Sequence, residues 1–145
     1  MHKTEQPSTR ILSVSYDNLL LRMRQMILEN AGYIVVSAHG LENSLAQCKQ
    51  RNFDLFILGH SIPDEDKRKM VEAFQSECPA PIISLTRGSS EQRVDGAGYH
   101  IEPDPERLLK LIAEITRKKA KETATETGSR NVLSGSGAEP VANLA

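Results

Sequence analysis

The chain has 145 residues, 39% of them hydrophobic and 26% charged, with a formal net charge of -1. That length suits one domain with a real core, and the charge balance excludes a chain disordered throughout and a strongly basic nucleic-acid binder. The apolar runs are only a few residues long, far short of a membrane span, and Met1–Arg10 lacks the apolar core of a signal peptide.

In chain order, two hydrophobic periods alternate. Ile11–Ser15 reads as a first strand. Asp17 or Asn18 can cap a helix whose apolar positions Leu20, Met23, Ile27 and Ala31 recur at helical spacing, and Gly32 ends it in the left-handed conformation. Tyr33–Ala38 is a second strand, and Leu41, Leu45 and Cys48 mark one face of a second helix. Phe53–Leu58 is almost wholly apolar and too short for an ordinary helix, which is the pattern of a strand buried on both faces. Gly59 and His60 stand at its carboxyl end, where open α/β sheets gather their chemistry. A polar loop through Pro63 leads to a third helix carrying Met70, Val71 and Phe74. Pro81–Thr86 is a fourth strand and Gly98–Glu102 a short fifth. Asp104 and Pro105 make an N-cap and first-turn pair for a last helix, with Leu108, Leu111, Ile112 and Ile115 inward.

Strand–helix alternation with right-handed crossovers predicts a doubly wound α/β sheet. Residues 9–117 are expected to form that domain, and residues 118–145, without apolar periodicity, a flexible C-terminal tail. Cys48 and Cys78 are too far apart for a CxxC motif and read as reduced core thiols of a cytoplasmic protein. The basic run Arg117, Lys118, Lys119 and Lys121 reads as a solvated helix end, with neither nucleic acid nor membrane expected as a partner. His2, His39, His60 and His100 show no metal-ligand spacing, and no glycine-rich phosphate loop follows the first strand.

The order and spacing of these elements resemble a bacterial response-regulator receiver domain in single-domain form, over roughly Thr9–Lys118. The resemblance rests on ILSVSYDNLLLRMRQMILENAGYIVVSAHG, FDLFILGHSIPDED, PIISLT and YHIEP. It implies a five-stranded parallel sheet of order 2-1-3-4-5, with its site at the carboxyl ends of the strands. It also assigns positions. The family's metal-binding acidic pair falls on Ser15 and Tyr16, its phosphoacceptor aspartate on Gly59, and its lysine on Glu102. Thr86 matches the switch hydroxyl and Tyr99 the switch aromatic.

The resemblance therefore implies a degenerate receiver. Glycine has no atom with which to accept a phosphoryl group, and a hydroxyl and a phenol bring no negative charge to magnesium. Asp17 could substitute as a ligand but reads as the helix cap. No metal, no cofactor and no enzymatic activity are expected. The segment from Thr86 to Glu102 is shorter than the family's, so a helix between the last two strands is expected to be shortened or absent. A salt bridge from Arg87 to Glu102, or Glu102 accepting from the Ser15 or Tyr16 hydroxyl, is expected to replace the missing contacts. The expected function is signalling by protein–protein contact without phosphorylation, through a histidine kinase or an output protein, as a monomer or weak dimer. The alternatives are phosphorylation at His60 or Ser61 and small-molecule binding in the crevice.

Overall fold

In a computed structural model that describes residues 9–50, 52–87 and 96–118, the strands are β1 (Arg10–Ser15), β2 (Ile34–His39), β3 (Leu55–Leu58), β4 (Ile82–Leu85) and β5 (Tyr99–Ile101). They form one parallel sheet in the order β2-β1-β3-β4-β5. Between them run α1 (Asn18–Asn30), α2 (Leu41–Gln50) and α3 (Asp64–Glu77), and α4 spans residues 105–118. The expected class and strand order are those observed. The expectation of a stunted helix between β4 and β5 falls on residues 88–95, outside the described residues, and so does the tail expected over 118–145 except for Lys118, which is helical.

The local signals explain the elements. The Asp17 carboxylate accepts from the backbone N–H groups of Leu19 and Leu20 and so caps α1. Gly32 follows α1 at φ 100°, a conformation that glycine adopts without steric cost. Asp104 accepts from the Glu106 N–H at the start of α4. Every residue of β3 and β4 is buried, as befits central strands covered on both faces.

Residues Met1–Lys110 make one compact unit, and Leu111 onward belong to a second, in which Ile112 and Ile115 are the buried described positions. Within the first unit, alternation along the strands sorts the side chains to two faces. Leu12, Val14, Phe56, Leu58 and Ile82 join Cys48 of α2 and Met70, Val71 and Phe74 of α3 in one core, where the Phe56 and Phe74 rings stack at 4.3 Å. Ile11, Ser13, Ile57 and Ile83 point to the other face, the side on which α1 lies. One register differs from expectation. The inward face of α1 is Leu21, Arg24 and Leu28, whereas Met23 and Ala31 are exposed. The expected apolar row is therefore rotated by one residue, because an arginine takes a place in the buried stripe.

Candidate functional site

The carboxyl ends of β1 and β3 lie side by side. The Gly59 N–H donates to the Val14 carbonyl at 2.9 Å, which holds Gly59 one residue beyond the ladder and fully buried. Ser15 Oγ lies 3.1 Å from Ser61 Oγ, which also accepts from the Tyr16 N–H at 3.0 Å. Ser15 Oγ accepts in turn from the Asp17 N–H. Ser15, Tyr16 and Ser61 are thus joined by short hydrogen bonds beside Gly59, whose own N–H is held by Val14.

The Tyr16 ring reaches outward instead. Its hydroxyl donates to the Asp66 carboxylate of α3 at 2.7 Å. Partial burial raises the phenol's pKa above the ordinary range, and the hydrogen bond to Asp66 and its charge raise it further. Thr86 is half-buried just past β4, its N–H donating to the Ile101 carbonyl, and Tyr99 is half-buried in β5. Glu102 is exposed beyond β5 and turned away from that cluster.

The expected replacement contacts of Glu102 are corrected here. Its ion pair is with Arg107, at 3.7 Å, one turn into α4, while the Ser15 and Tyr16 hydroxyls are engaged by Ser61, Asp17 and Asp66. The Pro103–Asp104 turn carries Glu102 towards the helix that follows, and two exposed side chains meet there at little desolvation cost.

The charges that do occupy the crevice come from the helices. Arg24 of α1 is 8% exposed, and its Nη1 donates to Ser13 Oγ at 2.9 Å and to the Val14 carbonyl at 3.2 Å. Burial lowers its pKa from 12.5 to about 10, so it keeps its proton at neutral pH. Lys67 of α3 is 2% exposed, and its Nζ donates to Ser84 Oγ at 2.9 Å and to the Leu85 carbonyl at 3.0 Å. Each cation rises through one face of the sheet to a serine in a central strand.

Arg24 also bears on Gly59. A Cβ at residue 59 would lie 3.0 Å from Arg24 Nη2 and 3.1 Å from the Val14 carbonyl oxygen. The space in which a side chain would start is already filled. Neither cation was among the candidates read from the sequence. Ser13 and Ser84 were the available signal, since a hydroxyl inside a buried apolar strand must find a partner.

Among the described residues no cluster of histidine, cysteine or acidic side chains could hold a metal ion, and no helix is long and apolar enough to cross a membrane. Cys48 and Cys78 are free thiols, Cys48 buried and Cys78 partly so. Beside α1, a small groove of about 120 Å³ is lined by Leu20, Met23, Ile27, His60 and Leu108, with Pro103 and Pro105 at its rim.

No family model matches the chain. In sequence it is 28% identical to the transcriptional regulatory protein ResD of Bacillus subtilis over 134 residues, 86% of this chain and 56% of ResD. It is also 28% identical to the two-component response regulator ARR10 of Arabidopsis thaliana over 136 residues, 88% of this chain and 24% of that protein. The chain thus spans about half of one curated relative and a quarter of the other. Among solved structures, a CheY-like receiver domain protein from Methanospirillum hungatei superposes with a TM-score of 0.69 at 26% identity, covering 80% of this chain and 99% of that one. A two-component response regulator from Clostridium difficile superposes with a TM-score of 0.70 at 21% identity, covering 77% and 98%. The fold is the CheY-like one, and the relatives support a response-regulator receiver domain, a signal-transduction module of two-component systems.

Proposed function

We propose that this receiver-like chain signals without phosphorylation, by binding other signalling proteins in the one conformation that its crevice permits. The carrying observation is Gly59. It stands where the receiver resemblance puts the phosphoacceptor, and the guanidinium of Arg24 lies 3.0 Å from the point where a side chain would begin. A phosphoryl group there would have neither a nucleophile to receive it nor room to sit. The cation that a receiver recruits to a phosphoryl oxygen has a standing counterpart here: Arg24 and Lys67 are already held by Ser13 and Ser84. On this reading the crevice is closed by internal hydrogen bonds, and the signal is the presence of the protein or of its partner.

Incubation with a small phosphodonor and magnesium, followed by intact-mass analysis, tests this directly. No stable adduct is expected, and the acid-labile and acid-stable products of modification at His60 or Ser61 would both register as a mass increase. A phosphorylated species mapped to the crevice refutes the proposal. The groove beside α1, at about 120 Å³, is smaller than the roughly 300–1,000 Å³ that ligand pockets usually enclose.

A further inference from the structure

We propose that α1 is a self-association surface, on which a second copy of this chain packs its own α1 antiparallel about a twofold axis. The helix carries apolar side chains on two sides, one against the sheet and one facing water, which calls for cover on both. Its inward face is satisfied by the sheet. On the outward face Leu19, Met23 and Met26 are 64%, 49% and 58% exposed. Their spacing of four and three residues aligns them in one stripe along the helix. The stripe continues sideways into the groove, through Leu20 and Ile27 to Pro105 and Leu108. An apolar strip of helical width, with a shallow groove along one edge, fits another helix better than a compact ligand.

The charges beside the stripe specify which helix. Arg22 and Glu29 are both exposed and lie seven residues apart, close to two turns, so they share one flank. The opposite flank is the apolar groove. In an isologous antiparallel pair each flank faces the same flank of its mate, read in reverse. Arg22 then meets Glu29 of the second copy, and the contact occurs twice. The midpoint between those residues falls beside Met26, which places the two Met26 side chains near the axis with Met23 and Leu19 beyond them. A parallel pairing would instead lay the Arg22 and Glu29 flank against the mate's apolar groove and leave both charges without a counterpart. Glu29 already accepts from Gln25 Nε2 at 3.1 Å, which holds its carboxylate on this flank without neutralising it. The inference stands apart from the reading of Gly59, because none of these residues enters the crevice.

The test is sedimentation equilibrium on the full chain at low ionic strength, with circular dichroism to confirm that each variant folds. A dimer is expected for the wild type. Met26→Glu is expected to raise its dissociation constant about a hundredfold, from the loss of two central apolar contacts. Arg22→Glu and Glu29→Arg are each expected to weaken it about tenfold, and the double swap Arg22→Glu/Glu29→Arg to return it to within about threefold of wild type. A wild-type chain that stays monomeric at millimolar concentration, leaving the stripe to residues 119–145 or to another protein, overturns the proposal. So does a dimer indifferent to Met26→Glu, or one in which the two charge reversals add instead of compensating.

Discussion

Replacing Gly59 by alanine isolates the steric claim from all questions of phosphoryl chemistry. At a site with ordinary backbone angles and free space, glycine to alanine stabilises by about 0.4–1 kcal/mol, because the unfolded chain loses freedom. No positive φ is found at Gly59, so the backbone alone would allow that gain. Here the new methyl would lie 3.0 Å from Arg24 Nη2 and 3.1 Å from the Val14 carbonyl oxygen. Arg24 is tied to Ser13 and to Val14 itself, and the Val14 carbonyl also receives the Gly59 N–H, so neither neighbour can retreat without loosening a buried hydrogen bond. Overpacking of this kind costs about 1–3 kcal/mol, which exceeds the entropic gain, and the net expectation is a loss of about 1–2 kcal/mol. Urea unfolding should show a lower midpoint at unchanged slope. In an Arg24→Ala background the same substitution should cost less, by about 0.5 kcal/mol or more, since the two residues touch. A Gly59→Ala chain more stable than wild type would refute the reasoning, because it would mean that the space at residue 59 is open.

The other polar contacts give separable expectations. Lys67→Met should destabilise by about 1–3 kcal/mol by leaving Ser84 Oγ and the Leu85 carbonyl without their donor; adding Ser84→Ala should recover part of it in the same unfolding assay. For Tyr16 the folded pKa is raised above the unfolded value, so its contribution to stability is full below pH 10, the phenol's ordinary pKa, and is lost as pH rises beyond it. Wild type should therefore lose stability more steeply than Tyr16→Phe in thermal unfolding between neutral and strongly alkaline pH, and parallel curves would contradict the Asp66 contact. Glu102→Gln should change stability by less than about 0.5 kcal/mol, because an exposed pair with Arg107 is worth little; a larger loss of melting temperature would restore Glu102 to the crevice. Magnesium should add no stability, since a ligand stabilises only a state that binds it, and a magnesium-dependent rise in melting temperature would show a metal site.

The sheet was legible because its determinants are local. Phe53–Leu58 and Pro81–Thr86 are apolar runs of strand length, and Asp17, Gly32 and Asp104 punctuate the helices by side-chain and backbone chemistry that acts within a few residues. The carboxyl-end position of Gly59 followed from that frame. What the helix periodicity misplaced was the inward face of α1, and the reason is chemical. Arginine at residue 24 reads as a solvent-facing residue in any apolar pattern, so the apolar row runs through Leu20, Met23 and Ile27, one position away from the buried Leu21, Arg24 and Leu28.

That displacement has consequences at both surfaces of the helix. A buried cation needs acceptors, and the strand that faces α1 supplies them only at its carboxyl end, through Ser13 and the Val14 carbonyl. Satisfying Arg24 therefore brings its guanidinium to the one position where β3 ends without a side chain. The same rotation leaves the residues that an apolar stripe would have buried, Met23 above all, facing water beside Leu19 and Met26. The filled crevice at Gly59 and the uncovered face of α1 are thus two results of one choice of residue. Truncating Arg24 should loosen the first without covering the second, because the exposed stripe never contacts the crevice.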